Sequence, residues 1–249
     1  MTLKLIACEV MYRELCSAVA RSPHLVDIEF LPKGLHDLGA EGMQARMREA
    51  VEKVDESRYD AIILGYGLCN NGLQGLTARS IPIVIPRAHD CITVFFGSKE
   101  RYMTYFHANP GTFFLTSGWI ERGTATGDLA ELSIQHQTGM DSAYEDLVAK
   151  YGEDNAKYLY EMLCDNDRHY KQFTYIEMGI EPDDRFEQHS RRLADERGWA
   201  FRKETGDIGL ITRLVNGDWN DDDFLVVQPG YRIVARYDDH VMTCEKVAP

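Results

Sequence analysis

The chain has 249 residues, 44% hydrophobic and 27% charged, so it is long enough to bury a sizeable core as one large α/β domain or two small lobes. Its 40 acidic residues against 27 basic ones leave a formal charge of −13, which argues against nucleic acid as a partner. No apolar run approaches the roughly 20 residues that span a bilayer, and Met1-Thr-Leu-Lys-Leu-Ile-Ala-Cys8 lacks the layout of a signal peptide, so a cytoplasmic protein with no membrane partner is expected.

The first predicted strand is Lys4-Leu-Ile-Ala, ending at Cys8-Glu9. An amphipathic helix from Tyr12 to Arg21 follows, then a strand from Leu25 to Leu31 that alternates Val26, Ile28 and Phe30 with Asp27 and Glu29, as a near-edge strand does. A helix over Gly42 to Val54 leads to two apolar runs, around Ile62-Ile63-Leu64 and Ile83-Val84-Ile85, expected of central parallel strands covered on both faces. A helix from Ser98 to His107 and a strand Thr112 to Thr116 complete a unit over residues 1–122. Residues 123–142 read as a linker or excursion. The second unit, residues 143–230, has a helix from Ala143 to Leu163, a strand from Phe173 to Met178, a helix from Asp184 to Arg197, a strand from Trp199 to Arg202, a helix from Ile208 to Val215 and a strand from Phe224 to Val227. Residues 231–249 read as a tail. The alternation predicts two Rossmann-like α/β lobes with mostly parallel sheets and a cleft between them.

If the strands are parallel, their carboxyl ends share one edge, where open α/β sheets bind ligands. Cys8, Cys69 and Cys91 each follow a predicted strand, and in a cytoplasmic chain they are expected to be free thiols or ligands. Three thiolates brought together with no Cys-x-x-Cys pair suggest a metal or cluster site with one open position. A [4Fe–4S] cluster with a substrate-binding iron is the first expectation and catalytic zinc the second. Around Cys69, the glycines of Gly65-Tyr-Gly-Leu-Cys-Asn-Asn-Gly72 let backbone approach a ligand, so Gly65, Gly67, Asn70 and Gly72 are expected to cradle it. The loop is not a dinucleotide fingerprint, since Asn70 stands at its sixth position. It is not a phosphate loop either, since Leu73 and Gln74 follow Gly72. His36 and His89 are expected to do acid–base or ligand work, with Asp37 or Asp90 as orienting carboxylates. Trp119 and Gln228 are expected to wall the cleft, with Gln228-Pro-Gly230 closing over it. Cys91 as a nucleophile is the non-metal alternative; it leaves Cys8 and Cys69 unexplained. Cys16, Cys164 and Cys244 are assigned no role, and the acidic runs Glu181–Glu187 and Asp218–Asp223 read as solvated surface.

Several blocks together carry a family likeness: Lys4-Leu-Ile-Ala-Cys-Glu9, Phe30-Leu-Pro-Lys-Gly-Leu-His-Asp37, Leu64-Gly-Tyr-Gly-Leu-Cys-Asn-Asn-Gly72, Pro86-Arg-Ala-His-Asp-Cys-Ile92, Phe96-Gly-Ser-Lys-Glu-Arg-Tyr102, Thr116-Ser-Gly-Trp119 and Phe224-Leu-Val-Val-Gln-Pro-Gly230. Over nearly its whole length the chain resembles the domain of unknown function family numbered 1638. Members often occur near corrinoid-dependent methyltransferase genes of methylamine and betaine metabolism. The resemblance therefore implies a place in one-carbon metabolism, with a corrinoid protein or methyltransferase as a partner and a corrinoid as a further cofactor. The expected function is a metal-dependent transferase or lyase acting on a small polar metabolite by methyl- or sulfur-group chemistry. A zinc methyltransferase-type enzyme and a corrinoid- or metabolite-binding accessory protein without catalysis are the alternatives.

Overall fold

A computed structural model describes residues 1–69, 71–122, 153, 170–236, 238 and 240–247. The expected linker at 123–142, the expected helix Ala143 to Leu163 apart from Glu153, Asn70 and Cys164 lie outside the described residues. The fold is α/β and Rossmann-like. Its first sheet has five strands in the order β2-β1-β3-β4-β8, comprising β1 (Thr2–Cys8), β2 (Leu25–Leu31), β3 (Ala61–Gly65), β4 (Ile83–Pro86) and β8 (Phe224–Val227). Every residue of β3 and β4 is buried, which is why their sequences run apolar without alternation. No residue of the edge strand β2 is fully buried, and its polar positions face outward.

Two helices follow the first strands. Helix α1 (Tyr12–Val19) buries Leu15 and Ala18, and α2 (Gly39–Glu52) buries Met43, Met47, Ala50 and Val51 at helical spacing. The chain leaves β1 for β2 on one side, then crosses to β3 on the other, so the strand order reverses between β1 and β3. That reversal opens a crevice at the carboxyl ends of these two strands. After β4 come α3 (Cys91–Phe96) and α4 (Lys99–Ala108).

The second sheet is parallel and three-stranded, in the order β5-β6-β7: β5 (Thr112–Leu115), β6 (Gln172–Glu177) and β7 (Ala200–Thr205). Helix α5 (Ser117–Glu121) follows β5, α6 (Arg185–Arg197) bridges β6 to β7, and α7 (Gly209–Asn216) leads back to the first sheet.

Strand partners differ from the division read in the sequence. Strand β5, expected in the first unit, pairs with β6, and β8, expected to close the second unit, pairs antiparallel with β4. The expected tail contains a hairpin of β9 (Tyr231–Ala235) and β10 (Met242–Lys246), joined to the 75–78 segment by main-chain hydrogen bonds. An apolar run such as Phe224-Leu-Val-Val specifies burial; the partner is set by which sheet edge lies open. Among the described residues no helix is long and apolar enough to cross a membrane.

One carboxyl group of α1 is withdrawn from water. Glu14 of α1 has no exposed surface, and neither carboxylate oxygen has a hydrogen-bond partner. Burial pushes its pKa up to about 7, and Glu181 adds to the shift. The folded chain therefore holds a proton that the unfolded chain releases above about 4.5. Stability is fully present below that pH and is lost as pH rises through about 7, by about 3 kcal/mol at 1.36 kcal/mol per pKa unit. Urea unfolding at intervals from pH 5 to 8 should show this decline in the wild type and a markedly flatter profile in Glu14→Gln; equal slopes would remove Glu14 as the cause.

Candidate functional site

The three predicted cysteines end on the same edge of the first sheet. Cys8 is the last residue of β1, Cys69 follows β3, and Cys91 opens α3 just after β4. All three are buried and free. Each thiol is pushed up first by burial, Cys8 to about 12 and Cys69 and Cys91 further. Beyond burial, ionised Cys8 would raise Cys69, and both would raise Cys91. The Trp119 indole works the other way on Cys91, favouring its thiolate. Without a metal these are neutral thiols near pH 7. That disfavours the nucleophile reading of Cys91, because the thiolate is the attacking form.

The connections after β3 and β4 run together. Leu68 and Cys69 donate their N–H groups to the carbonyls of Ala88 and His89 at 2.8 and 2.9 Å. At Gly67 a Cβ would stand 2.7 Å from the Asp90 nitrogen, so no side chain fits. Cys69 itself adopts a left-handed conformation, φ 43°, which costs a non-glycine residue about 1–2 kcal/mol and is held by these bonds. The neighbouring glycines serve packing: a Cβ on Gly65 would meet Ala7, and one on Gly72 would meet Met43. These contacts bring β3 against β1 and the loop against α2.

His36 lies in the 3₁₀ turn Lys33–Leu38 and brings Nε2 to 3.5 Å from Cys8 Sγ. Burial, with Lys33 adding, pushes its pKa down to about 4, so at neutral pH it is an uncharged imidazole, suited to ligate or to accept a proton rather than to donate one. The Asp37 carboxylate stands 3.9 Å from the Lys33 ammonium, and both side chains are 1% exposed. Asp90, expected to orient a histidine, instead caps α3: it accepts from Thr93 N at 2.9 Å and Thr93 Oγ1 at 3.0 Å, and the Tyr102 hydroxyl reaches it at 3.4 Å. Cys91 consequently lies on a helix, not on an irregular loop. His89 is exposed at the same edge.

A cleft of about 370 Å³ opens over Cys69 and Cys91, lined also by His36, His89, Asp90, Ile92 and an aromatic wall of Phe113, Phe114, Trp119 and Tyr170. Trp119 is therefore placed as expected. Gln228 is not: β8 runs antiparallel to β4 and pairs Val227 with Ile83, so its carboxyl end lies at the amino end of β4, away from Cys91. Gln228-Pro229-Gly230 forms an exposed turn beside Ala78.

Two participants escaped the sequence reading. Lys33 is a buried cation, 5.4 Å from the Trp119 ring, whose charge lowers both Cys8 and His36. Its four-residue spacing to Asp37 was the available signal. Tyr66, between Gly65 and Gly67, is 1% exposed, couples to Cys8 and then Cys69, and its hydroxyl has no protein hydrogen-bond partner. Among the described residues no group of three or more His, Cys, Asp or Glu side chains is arranged to hold a metal ion.

Maleimide labelling of the metal-free chain at pH 7.5, mapped by mass spectrometry, should modify half-buried Cys16 and Cys244 first and leave Cys8, Cys69 and Cys91 unmodified until denaturant is added. Fast labelling of Cys91 would revive its nucleophile reading.

No curated protein and no solved structure matches the chain. A family model does match, over residues 30–215, a span that takes in His36, Cys69 and Cys91 and begins after Cys8. With three quarters of its length so matched, the chain belongs to the family described as "Protein of unknown function (DUF1638)".

Proposed function

We propose that the chain is a cytoplasmic metalloenzyme in which Cys8, Cys69 and Cys91 hold a [4Fe–4S] cluster with one iron free of protein ligands. The observation that carries this reading is the set of three buried, free cysteines on the sheet edge where the strand order reverses. Thiols so far from ionising at neutral pH gain a function when a metal displaces their protons. The cluster would supply a Lewis acid at its open iron. The cysteines would have to rotate onto the metal. Phe113, Phe114, Trp119 and Tyr170 would exclude water from a small metabolite in the cleft, and neutral His36 and exposed His89 would accept or relay a proton there.

The substrate is a small polar metabolite, and the chemistry is methyl- or sulfur-group transfer in one-carbon metabolism, with a corrinoid protein or methyltransferase as partner. Zinc is the second reading. It is favoured by the 3.5 Å between His36 Nε2 and Cys8 Sγ, close to the separation of two ligands on one tetrahedral zinc with bonds of about 2.0 and 2.3 Å. Under that reading His36 is a ligand.

Anaerobic purification with iron, zinc and acid-labile sulfide analysis separates the readings. Four irons and four sulfides per chain are expected, lost in Ser variants of Cys8, Cys69 or Cys91 and retained in Cys16→Ala. One zinc without sulfide, lost in His36→Ala, would install the second reading. A chain that takes up no metal would be the corrinoid- or metabolite-binding accessory protein.

A further inference from the structure

Two hydrogen-bond donors are buried beside the three cysteines without a protein partner. The Tyr66 hydroxyl belongs to a residue 1% exposed whose ring neighbours that of His36, the side chain that reaches Cys8 Sγ. The Trp119 Nε1–H is likewise buried without a partner, and Trp119 lines the cleft together with Cys69 and Cys91. Between them these two side chains flank the edge on which all three cysteines lie. A buried donor left unpaired costs about 1–3 kcal/mol, so two at one place are a standing expense unless something there accepts from them. Protein oxygens do not; metal-bound thiolate and inorganic sulfide are acceptors without a proton of their own.

The placement of Tyr66 is built into the backbone. Gly65 lies against Ala7 on one side and Gly67 against Asp90 on the other, so the residue between them is fixed between the end of β1 and the start of α3. Its ring stands 6.1 Å from that of His36 at an interplanar angle of 35°. Trp119 is held by the first turn of α5, where Thr116 Oγ1 accepts from the Trp119 N–H at 3.3 Å, and by the Lys33 ammonium over its ring.

We infer that Tyr66 and Trp119 are positioning residues that donate O–H···S and N–H···S hydrogen bonds to the sulfur atoms of the group held by Cys8, Cys69 and Cys91. The inference rests on the metal reading above. Such bonds draw charge from sulfur and raise the reduction potential of an iron–sulfur centre; on a single metal ion they weaken thiolate donation. They also assign the site a ligand class, one rich in sulfur acceptors. This favours a sulfide-containing cluster, which offers more acceptors than a lone ion.

The test uses Tyr66→Phe, which keeps the ring and loses only the hydroxyl, a chain with 3-benzothienylalanine in place of Trp119, which keeps the indole's shape and loses only the N–H, and the double variant. Each is reconstituted anaerobically with iron and sulfide, checked for the wild-type iron and sulfide content, and titrated spectroelectrochemically. A lower midpoint potential in each single variant, and a lower one still in the double, is expected; potentials equal to the wild type would overturn the inference. If the wild type takes up no iron and sulfide, the cluster reading itself has failed. The same variants are then loaded with cobalt(II) alone and their thiolate-to-cobalt charge-transfer bands compared. A band shift in the variants preserves the hydrogen bonds to thiolate, and superimposable bands overturn them.

Discussion

The closeness of two loops governs the site. Gly67 lets the connection after β3 run directly on the backbone at Asp90, and two main-chain hydrogen bonds fasten Leu68 and Cys69 to Ala88 and His89. Any side chain at residue 67 would force these loops apart. Their contact brings Cys69, in its left-handed conformation, next to Cys91 at the start of α3, while parallel pairing of β1 with β3 brings Cys8 to the same edge. A second close contact fixes the other wall: a Cβ on Gly118 would overlap the Val10 carbonyl, so α5 sits on the turn after β1 and carries Trp119 to the cleft.

The site concentrates groups that are expensive to bury. Lys33 and Asp37 are withdrawn from water together, and their opposite charges offset part of that cost. Neutral His36 and three protonated thiols add polarity without charge. The aromatic wall continues inward as a stack that includes Phe96, Tyr102 and Phe114, giving the cleft a rigid, dry side opposite the sulfurs. A site so arranged is quiet until protons leave it, and the proposed function needs a metal to displace them.

Much of this was legible in the sequence because direction and period carry it. Continuous apolar runs at residues 62–64 and 83–85 announce central parallel strands, and residues just beyond parallel strands must share an edge. That reasoning put Cys8, Cys69 and Cys91 on one edge of the first sheet, whereas Trp119 reaches the cleft from β5 of the second sheet. It failed at Gln228, since Phe224-Leu-Val-Val reads the same whether the strand runs up or down the sheet, and antiparallel pairing sends Gln228 to the far edge. It also failed at Asp90, where capping of a six-residue helix competes with a catalytic role and the sequence shows both equally. Lys33 and Glu14 were passed over because charged residues ordinarily face water. Only the tertiary packing of the 33–38 turn and of α1 buries them.

The order in which the chain is made gives the late strand β8 another meaning. Until residues 224–227 emerge and fold back, β4 has no partner on its outer side, and its four buried residues present an apolar edge of unpaired amide groups. The sheet that carries the cysteines is thus completed only after the whole second sheet has been synthesised. A newly made chain stalled before that point would be poised to pair with another copy of itself, so chaperone demand and aggregation should concentrate in that interval of synthesis.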